Sequence, residues 1–362
     1  ATMLRPMLRA LALTATALAA PASLAVAQGP DQPRAPGAAA RRPMHTFSIV
    51  AVDSATGQIG AAVQSHWFSV GGSVIWAEPG VGAVATQSFI EPAYGPRGLA
   101  LLRSGVPAPL ALRALLAADP DSAVRQLGIV DARGGAVSFT GQRNITAAGS
   151  HVGRGYAAPA NLMLRNPVWD AMGRAFESAG GDLAERLLAA LEAAQREGGD
   201  IRGRQSAALI VVSGDRSLPP WDRVFDLRVE DSPDPIGELR RLVRVARAYR
   251  LATQGDNYTT AGRMDSALVA YATAEAILPD SVVNGELVYW HAVTLADQRR
   301  VAESIPLFAR AFAQDTLWAT LLWRLPRSGL LSADSATIAR IIREAKPAPN
   351  PAPPIVPPRR RP

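Results

Sequence analysis

The spacing of apolar residues changes period several times along the 362-residue chain, and the order of those changes restricts the fold more than any other feature. Two β-branched runs, 46–52 (TFSIVAV) and 58–65 (QIGAAVQS), flank the turn sequence Asp53-Ser54-Ala55-Thr56-Gly57 and read as a hairpin. Residues 72–78 and 80–87 read as two further strands around Pro79-Gly80. Helical patterns follow at 96–104 and 107–118, the second opening on a proline. Another hairpin is predicted at 125–131 and 135–140 around Gly134-Gly135. Helices are predicted at 166–179 and 182–197, where Asp182 and Glu185 have capping-box spacing. The run 205–213 is nearly all apolar, as in a strand buried on both faces, and 223–229 alternates as a half-exposed strand. Strands, then helices, then strands again predict an α+β class with sheets packed between helical layers. A doubly wound parallel sheet would alternate strand and helix instead.

Pro233 and Pro235 mark a change of pattern, after which residues 238–345 read as helical throughout. This segment contains a 37-residue repeat: Ala267 aligns with Ser304, Leu268 with Ile305, Tyr271 with Phe308 and Ala274 with Ala311. Small residues on either side of an aromatic one follow the packing logic of a tetratricopeptide helix pair. Two such units are fewer than a free-standing solenoid needs, so the segment is expected to dock on the first domain or on a protein partner.

The two ends carry the charge. Residues 1–42 hold five arginines against Asp31, and residues 347–362 add Arg359, Arg360 and Arg361. These account for the whole net charge of +7 and leave 43–346 formally neutral, which argues against nucleic acid as a partner. Residues 3–27 read as a secretory signal peptide, with Arg5 and Arg9 ahead of an apolar run and Ala25-Val26-Ala27 as the cleavage pattern. Residues 28–43 read as a flexible linker and 347–362 as a disordered Pro/Arg tail. The expectation is an exported protein, periplasmic or secreted, with no membrane span after signal cleavage. Cysteine is absent, which excludes thiolate catalysis, disulfides and cysteine-ligated metals. The four histidines show no metal-ligand spacing, so neither metal nor cofactor is expected. Gly80-Val81-Gly82-Ala83-Val84-Ala85 matches a dinucleotide fingerprint in letters only, because no helix pattern follows it.

In a strand, Thr46 and Ser48 share one face while Phe47, Ile49 and Ala51 share the other. A hydroxyl pair at the start of a strand has an ordinary explanation in strand propensity alone. The wider motifs add to it. TFSIVAVDSATGQIGAAVQSHWFSVGG at 46–72, WAEPGVGAVATQ at 76–87, PAYGPRGL at 92–99 and GRQSAALIVV at 203–212 resemble a bacterial family catalogued as domain of unknown function 1028, over about 44–232. That family is grouped with the N-terminal nucleophile (Ntn) hydrolases. The resemblance implies a four-layer αββα sandwich and places Thr46 where such enzymes carry their nucleophile, whose freed α-amine serves as base. An α-amine titrates near the working pH, which suits that role. The arrangement requires a cut immediately before Thr46, because signal cleavage at Ala27 leaves residues 28–45 ahead of it. Ser48 is the fallback nucleophile, without an amine base.

Partner residues follow from the family-like motifs. His66 is a candidate base or substrate ligand, against the ordinary role of a packed or surface histidine. Gly80 and Gly82 could bring backbone N–H groups to an oxyanion, or form a tight turn. Thr86 and Gln87 could bind an amide, or end a strand. Tyr94 and Arg97 lie in a loop suited to carboxylate recognition, with a structural ion pair as the alternative. Asn161 and Arg204 could line the same pocket. Two functions remain open: an exported hydrolase of a small amide or peptide, or a non-catalytic envelope protein that binds a partner through its helical repeats. Homo-oligomer formation is left open.

Overall fold

The computed structural model describes residues 46–346. The expected signal peptide at 3–27, linker at 28–43 and tail at 347–362 lie outside the described residues. The chain opens with β1 (Thr46–Val52) and β2 (Ile59–Ser65), a short helix α1 (Gly71–Val74), β3 (Ile75–Glu78) and β4 (Gly82–Ser88). Helices α2 (Tyr94–Arg103) and α3 (Ala108–Ala117) precede β5 (Arg125–Asp131), β6 (Ala136–Thr140), β7 (Gly149–Gly153) and β8 (Tyr156–Ala160). Then come α4 (Val168–Ser178), α5 (Leu183–Arg196), β9 (Ser206–Val212) and β10 (Phe225–Val229).

These strands form two antiparallel sheets. One has six strands in the order β10-β9-β2-β1-β8-β7, the other four in the order β3-β4-β5-β6. Alternation along each strand sorts the side chains between two cores. Val50, Val52, Ile59, Ala61 and Val63 meet Ala83, Ala85 and Val130 between the sheets. On the outer face of the six-stranded sheet, Phe47, Ile49, Ala62 and Leu209 pack under Met172 and Phe176 of α4 and Leu187 and Leu191 of α5. On the outer face of the other sheet, Val84, Leu127 and Ile129 pack under Leu99 of α2 and Leu112 and Leu115 of α3. The chain is therefore a mixed α/β protein with a helical C-terminal region.

Two local expectations are corrected. The segment 72–78 is not one strand, because its first residues belong to helix α1. Gly71 permits this turn: a Cβ there would meet the Ala208 side chain of β9 at 2.5 Å. Strands β7 and β8 were not predicted. GSHVG and YAAPA hold one β-branched residue between them, and Pro159 removes a ladder donor inside a strand paired on both sides.

The helical region comprises α6 (Pro235–Thr260), α7 (Met264–Ile277), α8 (Glu286–Asp297), α9 (Val301–Gln314), α10 (Leu317–Leu322), α11 (Leu325–Ser328) and α12 (Ser335–Ala345). Ile236, Leu239 and Val243 at the start of α6 join the core beneath α4 and α5. Arg240 pairs with Glu185 at 2.7 Å and Glu192 at 2.6 Å, and Arg247 with Asp182 at 2.6 Å, tying α6 to α5. Asp182 also caps α5 by accepting from the Glu185 N–H at 3.0 Å. The repeat positions Ala267, Tyr271 and Ala274 of α7, and Ser304, Phe308 and Ala311 of α9, are all buried. Among the described residues no helix is long and apolar enough to cross a membrane.

Candidate functional site

Thr46 pairs with Ser65 at one end of the β1–β2 ladder. At that end the inter-sheet core changes from apolar to polar. Thr46, Ser48, Gln87, Gln126 and Asn161 are all fully buried there. The large majority of such groups in protein cores are hydrogen-bonded. Ser48 Oγ donates to Gln87 Oε1 at 2.7 Å. Gln87 Nε2 faces the Thr46 carbonyl oxygen at 3.2 Å, Gln126 Oε1 at 2.7 Å and the Pro159 carbonyl at 3.0 Å. Asn161 donates its backbone N–H to the Thr46 carbonyl at 3.1 Å and its side-chain amide to Gln126 Oε1 at 2.8 Å. Gln126 Nε2 reaches Thr140 Oγ1 at 2.8 Å and the carbonyls of Ala160 at 2.9 Å and Gly149 at 3.1 Å.

The network joins both sheets through two glutamines, Gln87 and Gln126. Gln126 lies on β5 beside Gln87 of β4 and faces Asn161, the residue that follows β8. The sequence reading missed it. Its signal was a lone amide on the face that carries Gly128 and Val130, which the reading did not place between two sheets. Ser48 spends its proton on an amide oxygen, which cannot act as a base at neutral pH, so it has no activating partner in this arrangement.

His66 follows Ser65 directly. Its Nδ1 donates to the Arg204 carbonyl at 3.3 Å, and its backbone N–H donates to Asp200 Oδ2 at 3.1 Å. The Arg204 side chain is exposed and lies 3.6 Å from Asp234. These two residues thus sit beside the Thr46 end of the six-stranded sheet.

The remaining candidates lie elsewhere. Gly82 opens β4 opposite Asp131, five residues along the strand from Gln87, with Leu102 where its Cβ would be. At about 3.3 Å per residue the separation is about 17 Å, too far for its amide to serve a reaction at Thr46. Thr86 points to the other face of its sheet and donates weakly to the Glu91 carbonyl at 3.4 Å. Tyr94 is buried on that face and donates to Asp119 Oδ2 at 2.6 Å. Arg97 is exposed beside it, lining an open groove of about 610 Å³ between α2 and α3. The four-stranded sheet therefore separates Thr86, Tyr94 and Arg97 from Thr46. Among the described residues no group of three or more acidic or histidine side chains could hold a metal.

Asp119 anchors the Tyr94 cluster, with Arg125 Nε at 2.7 Å. Burial disfavours its charge, but hydrogen bonds from Arg125 and Tyr94 outweigh burial and hold its carboxyl below the usual range. Burial and then Asp119 push the Tyr94 hydroxyl upward. A carboxyl depressed in the folded state contributes stability above its unfolded value that is lost as pH falls through the folded one. Unfolding midpoints in urea should therefore drop as pH falls below about 4, and Asp119→Asn should flatten that acid limb. An unchanged limb in the variant would place the acid sensitivity elsewhere.

A comparison with curated proteins gives no match. Among solved structures, the chain is similar to the crystal structure of protein SPO2555 from Silicibacter pomeroyi, a DUF1028 protein, at 35% identity and a TM-score of 0.50. The match covers 56% of this chain and 89% of that one. Residues 46–239 match the family described as "Family of unknown function (DUF1028)". Thr46, the head of β1, is thus the first matched residue, and the chain belongs to the DUF1028 family.

Proposed function

We propose that the first domain is an Ntn-type hydrolase acting on the C–N bond of a small amide or peptide, in an exported protein. One observation carries the reading: Thr46 heads β1 with its carbonyl oxygen held by Gln87 and Asn161, both fully buried. Two facing sheets, each covered by a helix pair, support the αββα sandwich that this chemistry uses. The equivalent burial of the α7 and α9 repeat positions supports a tetratricopeptide-like extension.

Once the peptide bond before Thr46 is cut, its hydroxyl oxygen attacks the substrate carbonyl carbon. The hydroxyl proton passes to the α-amine and then to the departing nitrogen. Water next hydrolyses the ester left on Thr46. His66 and Arg204 are placed to contact substrate beside it. Gly82, Thr86, Tyr94 and Arg97 take no part, because the structure puts them at another end or face.

The test is the N-terminus of the exported, folded protein, read by intact mass and Edman degradation. A terminus at Thr46, with hydrolysis of a chromogenic amide panel, is the expected result. Thr46→Ala should then lower kcat by about 10³-fold or more. Stable, folded protein that keeps residues ahead of Thr46 overturns the reading. That outcome would favour a non-catalytic envelope protein, a reading supported by the exposed apolar side chains Val269, Leu317 and Trp323 of the helical region.

A further inference from the structure

A second cavity, of about 610 Å³, opens where the β6–β7 loop meets the start of α4. Its volume is in the range of small-molecule sites. None of its lining residues is charged. Its polar groups are amides and hydroxyls: Thr140, Gln142, Asn144, Thr146 and Asn166. Its one large apolar surface is the Trp169 indole.

The loop that builds it is fixed in place. The Asn144 amide donates to the carbonyls of Arg125 at 2.8 Å and Gly141 at 3.1 Å, and the Arg143 N–H donates to Ala123 at 2.8 Å. The Ala147 carbonyl accepts from the Met163 N–H at 3.1 Å, with Ala147 held at a φ of 58°. Trp169 lies against the backbone of Gly149, where a Cβ would meet its ring at 2.6 Å. Glycine at 149 thus lets the indole lie flat along β7. Part of the hydrogen-bonding capacity of the cavity is meanwhile unspent. Asn144 Oδ1 has no protein partner. Gln142, Thr146, Asn166 and the Trp169 N–H make no hydrogen bond among the described residues.

We infer that this cavity binds a neutral saccharide. A pyranose ring offers a C–H face that packs on an indole and a rim of hydroxyls that both donate and accept, which amides and hydroxyls match. An ionic ligand would find no counter-charge here, and an apolar one only a single wall. The site is separate from the reaction proposed at Thr46, although Thr140 is joined to that network through Gln126.

The test is isothermal titration of the full chain, and of its Thr46→Ala variant, with three neutral probes: maltotetraose, xylotetraose and the tetramer of N-acetylglucosamine. At least one should bind saturably and quench tryptophan fluorescence, equally in both proteins. Trp169→Ala should weaken that binding about tenfold. Because Trp169 also packs against the core, Asn166→Ala and Thr146→Ala, both at exposed positions, provide the control for folding and should each weaken it about threefold. Arg97→Ala, in the other groove, should leave it unchanged. No saturable binding of any probe overturns the inference, as does binding that all three cavity variants retain. Loss of binding in Thr46→Ala alone would move the saccharide to the Thr46 site and overturn it equally.

Discussion

Gln126→Leu should destabilise the protein by about 3–5 kcal/mol, far more than its loss of polar atoms suggests. Leucine nearly matches the volume, so little of the cost comes from a cavity. The cost arises in the partners left behind. Gln87 and Asn161 lose their common acceptor, and Thr140, Gly149 and Ala160 lose a donor. Each orphaned buried group costs about 1–3 kcal/mol, reduced where Gln87 and Asn161 keep their bonds to Thr46. Urea unfolding at neutral pH measures it. The double variant with Gln87→Leu should cost less than the sum of the two single changes, since each removes the same bond. A loss under about 1 kcal/mol would show that water reaches the network and satisfies it.

Phe308→Ala should cost about 3–5 kcal/mol, but its effect should be confined to the helical region. Phe308 is fully buried in a cluster built only from residues 288–345, including Tyr289, Phe312, Leu322 and Ile341. None of these belongs to the cores of the two sheets. The connection to the first domain runs through α6, by Ile236, Leu239 and Val243 and the pairs of Arg240 and Arg247 with α5. Hydrogen exchange should show faster opening of α8, α9 and α12 while β1, β2 and β9 keep their protection. Equal acceleration in both regions would mean that α6 couples them into one cooperative unit.

Much of the fold could be read from local patterns. The first hairpin, the α2–α3 and α4–α5 helices and the apolar strand β9 each carry a strong period or a turn signal, and they appear within a few residues of the expected bounds. Strands β7 and β8 carry neither, and the pairing of β8 on β1 and of β7 on β8 rests on tertiary contact alone. The site was legible in part. Thr46, Ser48, Gln87 and Asn161 were singled out and do meet. Gly82, Thr86, Tyr94 and Arg97 came from neighbouring motifs and do not join them, because closeness along a strand says nothing about which face or end a residue occupies.

By itself, the sequence determined the class of each long element, the neutrality of residues 43–346 and the exclusion of cysteine chemistry. These depend on composition and on periods of two or 3.6 residues. Only the tertiary structure decided that Gln126 is the hub at Thr46, and that an uncharged cavity lies beside it. Those contacts join residues from 14 to 115 positions apart. They follow from how two sheets stack face to face, which no local period encodes.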